Sequence, residues 1–137
     1  MTVVVGFLPT AEGEAAFTAA LAEAARRGEP LVLVNSPRAG AVVSADLATP
    51  EAAAALADRA REAGVRLALQ QEPHTGDIAD ELLRVAEEAN ASVIVIGLRR
   101  RSPVGKLFLG SNAQRVLLAA DRPVLAVKPA APLPQNP

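Results

Sequence analysis

The stretch VIVIGLRRRSPVGKLFLGSN, residues 93–112, decides the fold. Four apolar residues, Val93 to Ile96, stop at Gly97; Arg99, Arg100 and Arg101 follow; Gly110-Ser111 then opens an amphipathic segment. The pattern predicts a buried strand, a cationic loop and a helix N-terminus. Backbone N–H groups at a helix start carry partial positive charge and lack partners inside the helix. Arginines beside them add to that charge, which makes an anion site with phosphate as the obvious guest.

The same reading extends outward in both directions. Upstream, His74-Thr75-Gly76-Asp77 introduces a helix with Ile78, Leu82, Val85 and Ala89 on one face and Asn90 at its end. Before it, Leu67 to Gln70 is a short, more polar strand suited to a sheet edge. Thr49-Pro50-Glu51 is a helix start, with a capping hydroxyl, a proline in the first turn and an acid near the positive dipole end; that helix runs to Gly64. Residues 35–48 hold turn formers without a period and are read as a loop. Leu31 to Val34 is an apolar strand after Pro30. From about Glu12 to Arg27, Phe17, Ala20, Leu21 and Ala24 recur at helical spacing, and Gly28 stops the helix. Thr2 to Leu8 is a first strand, bounded by Pro9 and buried on both faces. Downstream, Ser111 and Gln114 match a capping box for a last helix that ends before Pro123, and Val124 to Val127 is a fifth strand.

Five strands alternating with four helices imply an α/β domain: a single open, mainly parallel sheet with helices on both faces and right-handed crossovers. Ligands in such sheets bind at the carboxyl ends of the strands where strand order reverses, and the loop after strand four leaves from one of those ends. Residues 1–128 form the domain. From 129 to 137 the chain reads PAAPLPQNP and is expected to be a disordered tail.

Composition narrows the function. At 137 residues the chain supports one core, built from aliphatic residues because aromatics make up only 2%. A formal charge of −1 argues against wholesale nucleic-acid binding. The charge is uneven, however. Between Glu88 and Asp121 there is no acid, while Arg99, Arg100, Arg101, Lys106 and Arg115 supply five cations, leaving all 15 acids against nine cations elsewhere. Localised positive charge suits a small anion better than a polymer. With no cysteine, thiol chemistry and metal-thiolate sites are excluded. No stretch approaches the roughly 18 apolar residues of a membrane span, and the apolar N-terminus lacks a preceding basic region, so no membrane association and a cytoplasmic location are expected.

Several features have plainer readings. Gly97 could serve a crowded strand exit as well as ligand approach. Ser111 could act only as a helix cap, and Asn112 could donate to phosphate or face water. Lys106 follows Gly105, but Leu107 stands where Ser or Thr is required, so this is not a Walker A loop. His74, the only histidine, reads as a hydrogen-bonding surface residue, and no second histidine or cysteine exists to join it at a metal. Asp58 with Glu62, and Asp77 with Asp80 and Glu81, have the spacing of exposed helix faces. No nucleophile elbow or catalytic constellation is present, and Phe7, Phe17 and Phe108 read as core rather than as a stacking platform.

A strand ending at Gly97, a loop, Gly110-Ser111 before a helix, and a short PVLAVK strand together resemble the universal stress protein family, UspA type, over residues 2–128. The resemblance implies a Rossmann-like sheet with strand order 3-2-1-4-5. ATP-binding members share a G-x2-G-x9-G-S/T pattern here. Gly97 and Gly110-Ser111 fit at the correct spacing, but Arg100 replaces the middle glycine. Leu8 stands where those members carry an aspartate at the end of strand one. By this resemblance the chain binds an adenine nucleotide, ATP or AMP, and Mg²⁺ enters only through the nucleotide. Val34 would lie by the base, Gly97, Arg99 and Arg100 would line the phosphates, and Gly110, Ser111 and Asn112 would form the helix-start cradle. The implied role is stress resistance by nucleotide-linked regulation, without enzymatic catalysis beyond weak ATP hydrolysis. Val124 to Val127, apolar and last in the chain, would pair with its own copy to cover a free sheet edge, giving a homodimer. The departures at Leu8 and Arg100 favour a rival: a dimeric interaction module of the same fold that binds no nucleotide and engages an acidic partner through its arginines.

Overall fold

The computed structural model describes residues 1–37, 48–100 and 107–129, without the side chains of Arg100, Leu107 and Phe108. Its elements are β1 (Thr2–Gly6), α1 (Ala11–Arg27), β2 (Leu31–Val34), α2 (Pro50–Glu62), β3 (Leu67–Gln70), α3 (Ile78–Glu88), β4 (Ala91–Gly97), β5 (Arg99–Arg100), β6 (Leu107–Phe108), α4 (Ser111–Ala119) and β7 (Val124–Val127). The five-stranded sheet runs β3-β2-β1-β4-β7, every pair parallel. Since β7 is the fifth strand read from the sequence, this is the expected 3-2-1-4-5 order. The order reverses between β1 and β4, which places the crevice there.

Alternation along the strands divides the core into two layers. Val3, Val5 and Phe7 of the first strand and its exit join Val93 and Val95 of β4 against Ala16, Phe17, Ala20 and Ala24 of α1 and Leu56 of α2. Val4, Ile94 and Ile96 face the other way, against Leu82, Val85 and Ala86 of α3 and Val116 of α4. Phe17 is wholly buried and meets Phe7 edge-on, centroids 6.4 Å apart at 79°. Such a pair contributes about 0.5–1.5 kcal/mol beyond its buried area.

The helix signals act largely as expected. The Thr49 hydroxyl accepts from Ala52 N at 3.1 Å with Pro50 in the first turn of α2, and Gly28 caps α1 at φ 66°. Helix α1 starts slightly earlier than its apolar period suggested, because the Thr10 hydroxyl accepts from Gly13 N at 3.2 Å. Strand β4 spans Ala91–Gly97, longer than the four-residue apolar run, since Ala91 and Ser92 are buried beside the Thr2 end of β1.

One expectation needs correction. The arginine stretch after Gly97 is not wholly loop: Arg99 pairs with Phe108 and Arg100 with Leu107 in a two-stranded antiparallel ribbon. Residues 38–47 of the expected long loop, residues 101–106 with Arg101 and Lys106, and the expected tail from residue 130 lie outside the described residues.

Candidate functional site

At the carboxyl ends of β1, β2 and β4 lies a cleft of about 450 Å³, within the range of roughly 300–1,000 Å³ usual for small-molecule sites. Val34, Gly97, Arg99, Gly110, Ser111 and Asn112 all line it. Residues far apart in sequence are thus brought to one cleft. For Arg100 the placement concerns a side chain outside the described residues; its backbone lies in the ribbon beside Arg99.

The α4 end of the cleft differs in detail from the expected capping box. Gly110, not Ser111, is the N-cap, with φ −64° and ψ 167°, and Ser111 is the first helical residue. Gln114 turns its side-chain amide to Leu109 O at 3.0 Å instead of reaching back to a serine cap. A glycine cap offers no side-chain oxygen to the first-turn N–H groups, so among the described residues no side chain caps them and they can donate to an anion. Arg99, exposed on the ribbon, adds a full charge at the cleft.

Arg115 does not join it. Its guanidinium pairs with Asp77 at 2.9 Å and Asp80 at 3.1 Å, tying the N-terminal turn of α3 to α4. With all three side chains about half exposed, the pairs contribute little stability. They do hold the helices that bring Ile78, Ala79, Leu82 and Val116 to the apolar wall of the cleft. Glu81 is not the exposed carboxylate its spacing suggested. Its side chain is 10% accessible, and hydrogen bonding from Arg84 holds its carboxyl below the usual carboxylate range despite burial, with His74 adding to the effect.

Close backbone packing shapes the opposite wall. A Cβ at Gly97 would stand 2.3 Å from Glu12 O, and one at Gly13 would stand 1.7 Å from Leu8 O. Both positions therefore need glycine so that α1 can press its first turn against the ends of β1 and β4. Gly97 serves the crowded strand end and also lines the cleft. Sequence reasoning missed Gly13, Thr10, Glu12 and Ser36. Only Gly13 carried a signal, as a lone glycine inside a helical period.

The β2 exit is fixed by a buried asparagine. Asn35, 3% accessible, donates to Phe7 O at 3.0 Å and accepts from Ala48 N at 2.7 Å and Gln71 Nε2 at 3.0 Å. Next to it, Ser36 lines the cleft with its Oγ 2.8 Å from His74 Nδ1. The expectation of a surface histidine fails: His74 is 7% accessible, drawn in by Ser36 and by its backbone N–H donating to Pro37 O at 3.0 Å. Ser36 Oγ also donates to Glu72 O, a carbonyl that can only accept. The pair fastens the turn.

Leu8, where the resemblance implies an aspartate, also lines the cleft and is 43% accessible, and its side chain offers no oxygen to a ligand. Among the described residues no group of three His, Asp or Glu side chains could hold a metal ion, and no helix is long and apolar enough to cross a membrane.

Known proteins share this fold. A family model described as the universal stress protein family matches residues 1–128. A universal stress protein of Mycolicibacterium smegmatis is 39% identical over 127 residues, 93% of this chain and 97% of that protein. The universal stress protein from Archaeoglobus fulgidus, solved in complex with dAMP, superposes with a TM-score of 0.75 at 27% identity, over 93% of this chain and 98% of its own. A universal stress protein in complex with cAMP gives a TM-score of 0.65 at 25% identity, over 95% and 98% of the two chains. With the family's pattern spanning residues 1–128 and a relative this similar over nearly its full length, the chain belongs to the universal stress protein family.

Proposed function

We propose that this chain is a regulatory adenine-nucleotide binder of the stress response, cytoplasmic and homodimeric, and not an enzyme. The observation that carries the reading is the junction of three features in one cleft: the uncapped N-terminus of α4 at Gly110, the bare strand end at Gly97, and the Arg99 guanidinium. Backbone donors and a guanidinium fork are complementary to phosphate oxygens. The apolar wall from Val34, Ile78, Ala79 and Leu82 suits a base, and the two relatives bound to dAMP and cAMP support adenine as that base. Mg²⁺ would arrive with a nucleotide's phosphates.

Leu8 favours the second reading, an interaction module whose arginine segment engages an acidic partner without nucleotide. The two are separated by denaturing freshly purified protein, analysing released small molecules by mass spectrometry, and running thermal shifts with AMP, ADP, ATP and cyclic AMP. The nucleotide reading expects an adenine compound to be released or at least one to stabilise the fold. Ligand about 100-fold above its Kd adds about 2.7 kcal/mol, a rise of several degrees in Tm. An empty protein that none of the four stabilises overturns it in favour of the second.

A further inference from the structure

Glu12 is the one carboxylate among the described residues that line the cleft. It occupies the second position of α1, where the helix dipole favours an anion. Its backbone is pinned by the contact that keeps residue 97 a glycine: a Cβ there would meet Glu12 O at 2.3 Å and Glu12 Cβ at 3.2 Å. The side chain therefore departs beside the end of β4, two residues before Arg99, on the phosphate side of the proposed site. Neighbouring acids are neutralised. Glu14 pairs with Arg59, Asp77 and Asp80 with Arg115, and Glu81 with Arg84. Glu12 is half-buried and has no ion-pair partner among the described residues.

A carboxylate so placed is poorly suited to binding phosphate, and its effect depends on how many phosphates arrive. A single phosphate, carrying about −1.5 to −2 charge, can be balanced by Arg99 and the α4 amides. Each further phosphoryl adds negative charge to a cleft that already holds a carboxylate without an ion-pair partner among the described residues, and like charges repel more strongly where protein displaces water. Resting on the nucleotide reading of this cleft, we propose that Glu12 sets its phosphate selectivity, admitting monophosphates and disfavouring di- and triphosphates that come without a cation. Glu12 is a specificity determinant in this account.

The test is calorimetric titration of AMP, ADP and ATP in EDTA at low ionic strength into the wild-type chain and the Glu12→Gln and Glu12→Asp variants. Wild type is expected to bind AMP more tightly than ATP. Glu12→Gln should tighten ATP about tenfold more than AMP, about 1.4 kcal/mol of discrimination, whereas Glu12→Asp, which keeps the charge, should retain the wild-type preference. The gap should shrink in about 0.5 M salt, where screening reaches within a few ångströms. Equal changes for AMP and ATP in Glu12→Gln overturn the proposal. So does weaker ATP binding, which would make Glu12 a ligand for a hydroxyl or cation brought by the nucleotide. Failure of wild type to bind any of the three, or cyclic AMP titrated alongside, removes the nucleotide reading itself, an outcome distinct from AMP binding with an unaltered ratio.

Discussion

Gly13 inside α1 and Gly28 at its C-terminal cap perform unlike tasks, and the difference is measurable. At Gly13 an added Cβ would lie 1.7 Å from Leu8 O, with Leu8 C and N also within 3.0 Å, so backbone would have to move. At Gly28 nothing lies within 4 Å, and the only obstacle is the left-handed φ of 66°. Overpacking against backbone costs about 1–3 kcal/mol or more, while a non-glycine residue in the left-handed region costs about 1–2 kcal/mol. Gly13→Ala is therefore expected to lose at least about 3 kcal/mol and Gly28→Ala about 1 kcal/mol, read from urea denaturation midpoints. A Gly13→Ala variant as stable as Gly28→Ala would refute the packing account of this wall. The same geometry explains why Gly97 could not be assigned from sequence. Its neighbour Glu12 lies at the far end of the chain, and a close approach of two backbones leaves no local pattern.

Helix α4 shows how an element can trade stability for binding. Gly110 has extended backbone that any residue adopts, so glycine is not required there by conformation. Gly110→Asp would supply the missing cap and place a negative charge at the dipole's positive end, stabilising the fold by about 0.5 kcal/mol. The same carboxylate would occupy the donors and repel phosphate. The expected outcome is a higher Tm together with at least about tenfold weaker AMP binding by calorimetry; improved stability with undiminished affinity would show that the α4 start is not where the anion sits. At this scale the sequence was readable where a period existed. The alternation of short apolar runs with helical spacing specified five strands and four helices, because burial on one face repeats along an element. It was unreadable where no period exists. Two-residue strands such as β5 and β6 carry none, and the box formed by Ser111 and Gln114 misplaced the cap by one position because Gly110 can fill that role without any side chain. His74 was misjudged for the same reason: its burial is decided by Ser36 and Pro37, not by its own neighbours in sequence.

For the whole molecule the open question is what covers the β7 edge. The two edges of the sheet are not alike, since β3 reads LALQ with its middle residues exposed, whereas β7 reads VLAV, apolar throughout. An apolar edge strand with free N–H and C=O groups is a template for another chain. It is also rigidly held. Arg122 donates to Ala86 O at 2.8 Å and to Ala91 O at 3.3 Å while pairing with Glu87 and Asp121, which fastens the entry to β7, and its guanidinium holds the Asp121 carboxyl below the usual range. A stiff strand gives up little entropy on pairing, so a two-fold dimer through β7 is the expected assembly. Because Pro123 O accepts from Ile94 N of β4 and Val127 O from Leu98 N just past its end, the backbone groups of residues 124 and 126 point away from the sheet. Ala126→Pro therefore deletes an outward N–H while sparing the ladder to β4. In sedimentation equilibrium the wild-type chain should have twice its 14.1 kDa mass and Ala126→Pro should fall to the single mass, with unchanged helical circular dichroism to certify folding. A wild type that sediments as one chain, or a folded Ala126→Pro that stays paired, would mean that β7 is protected by something other than its own copy.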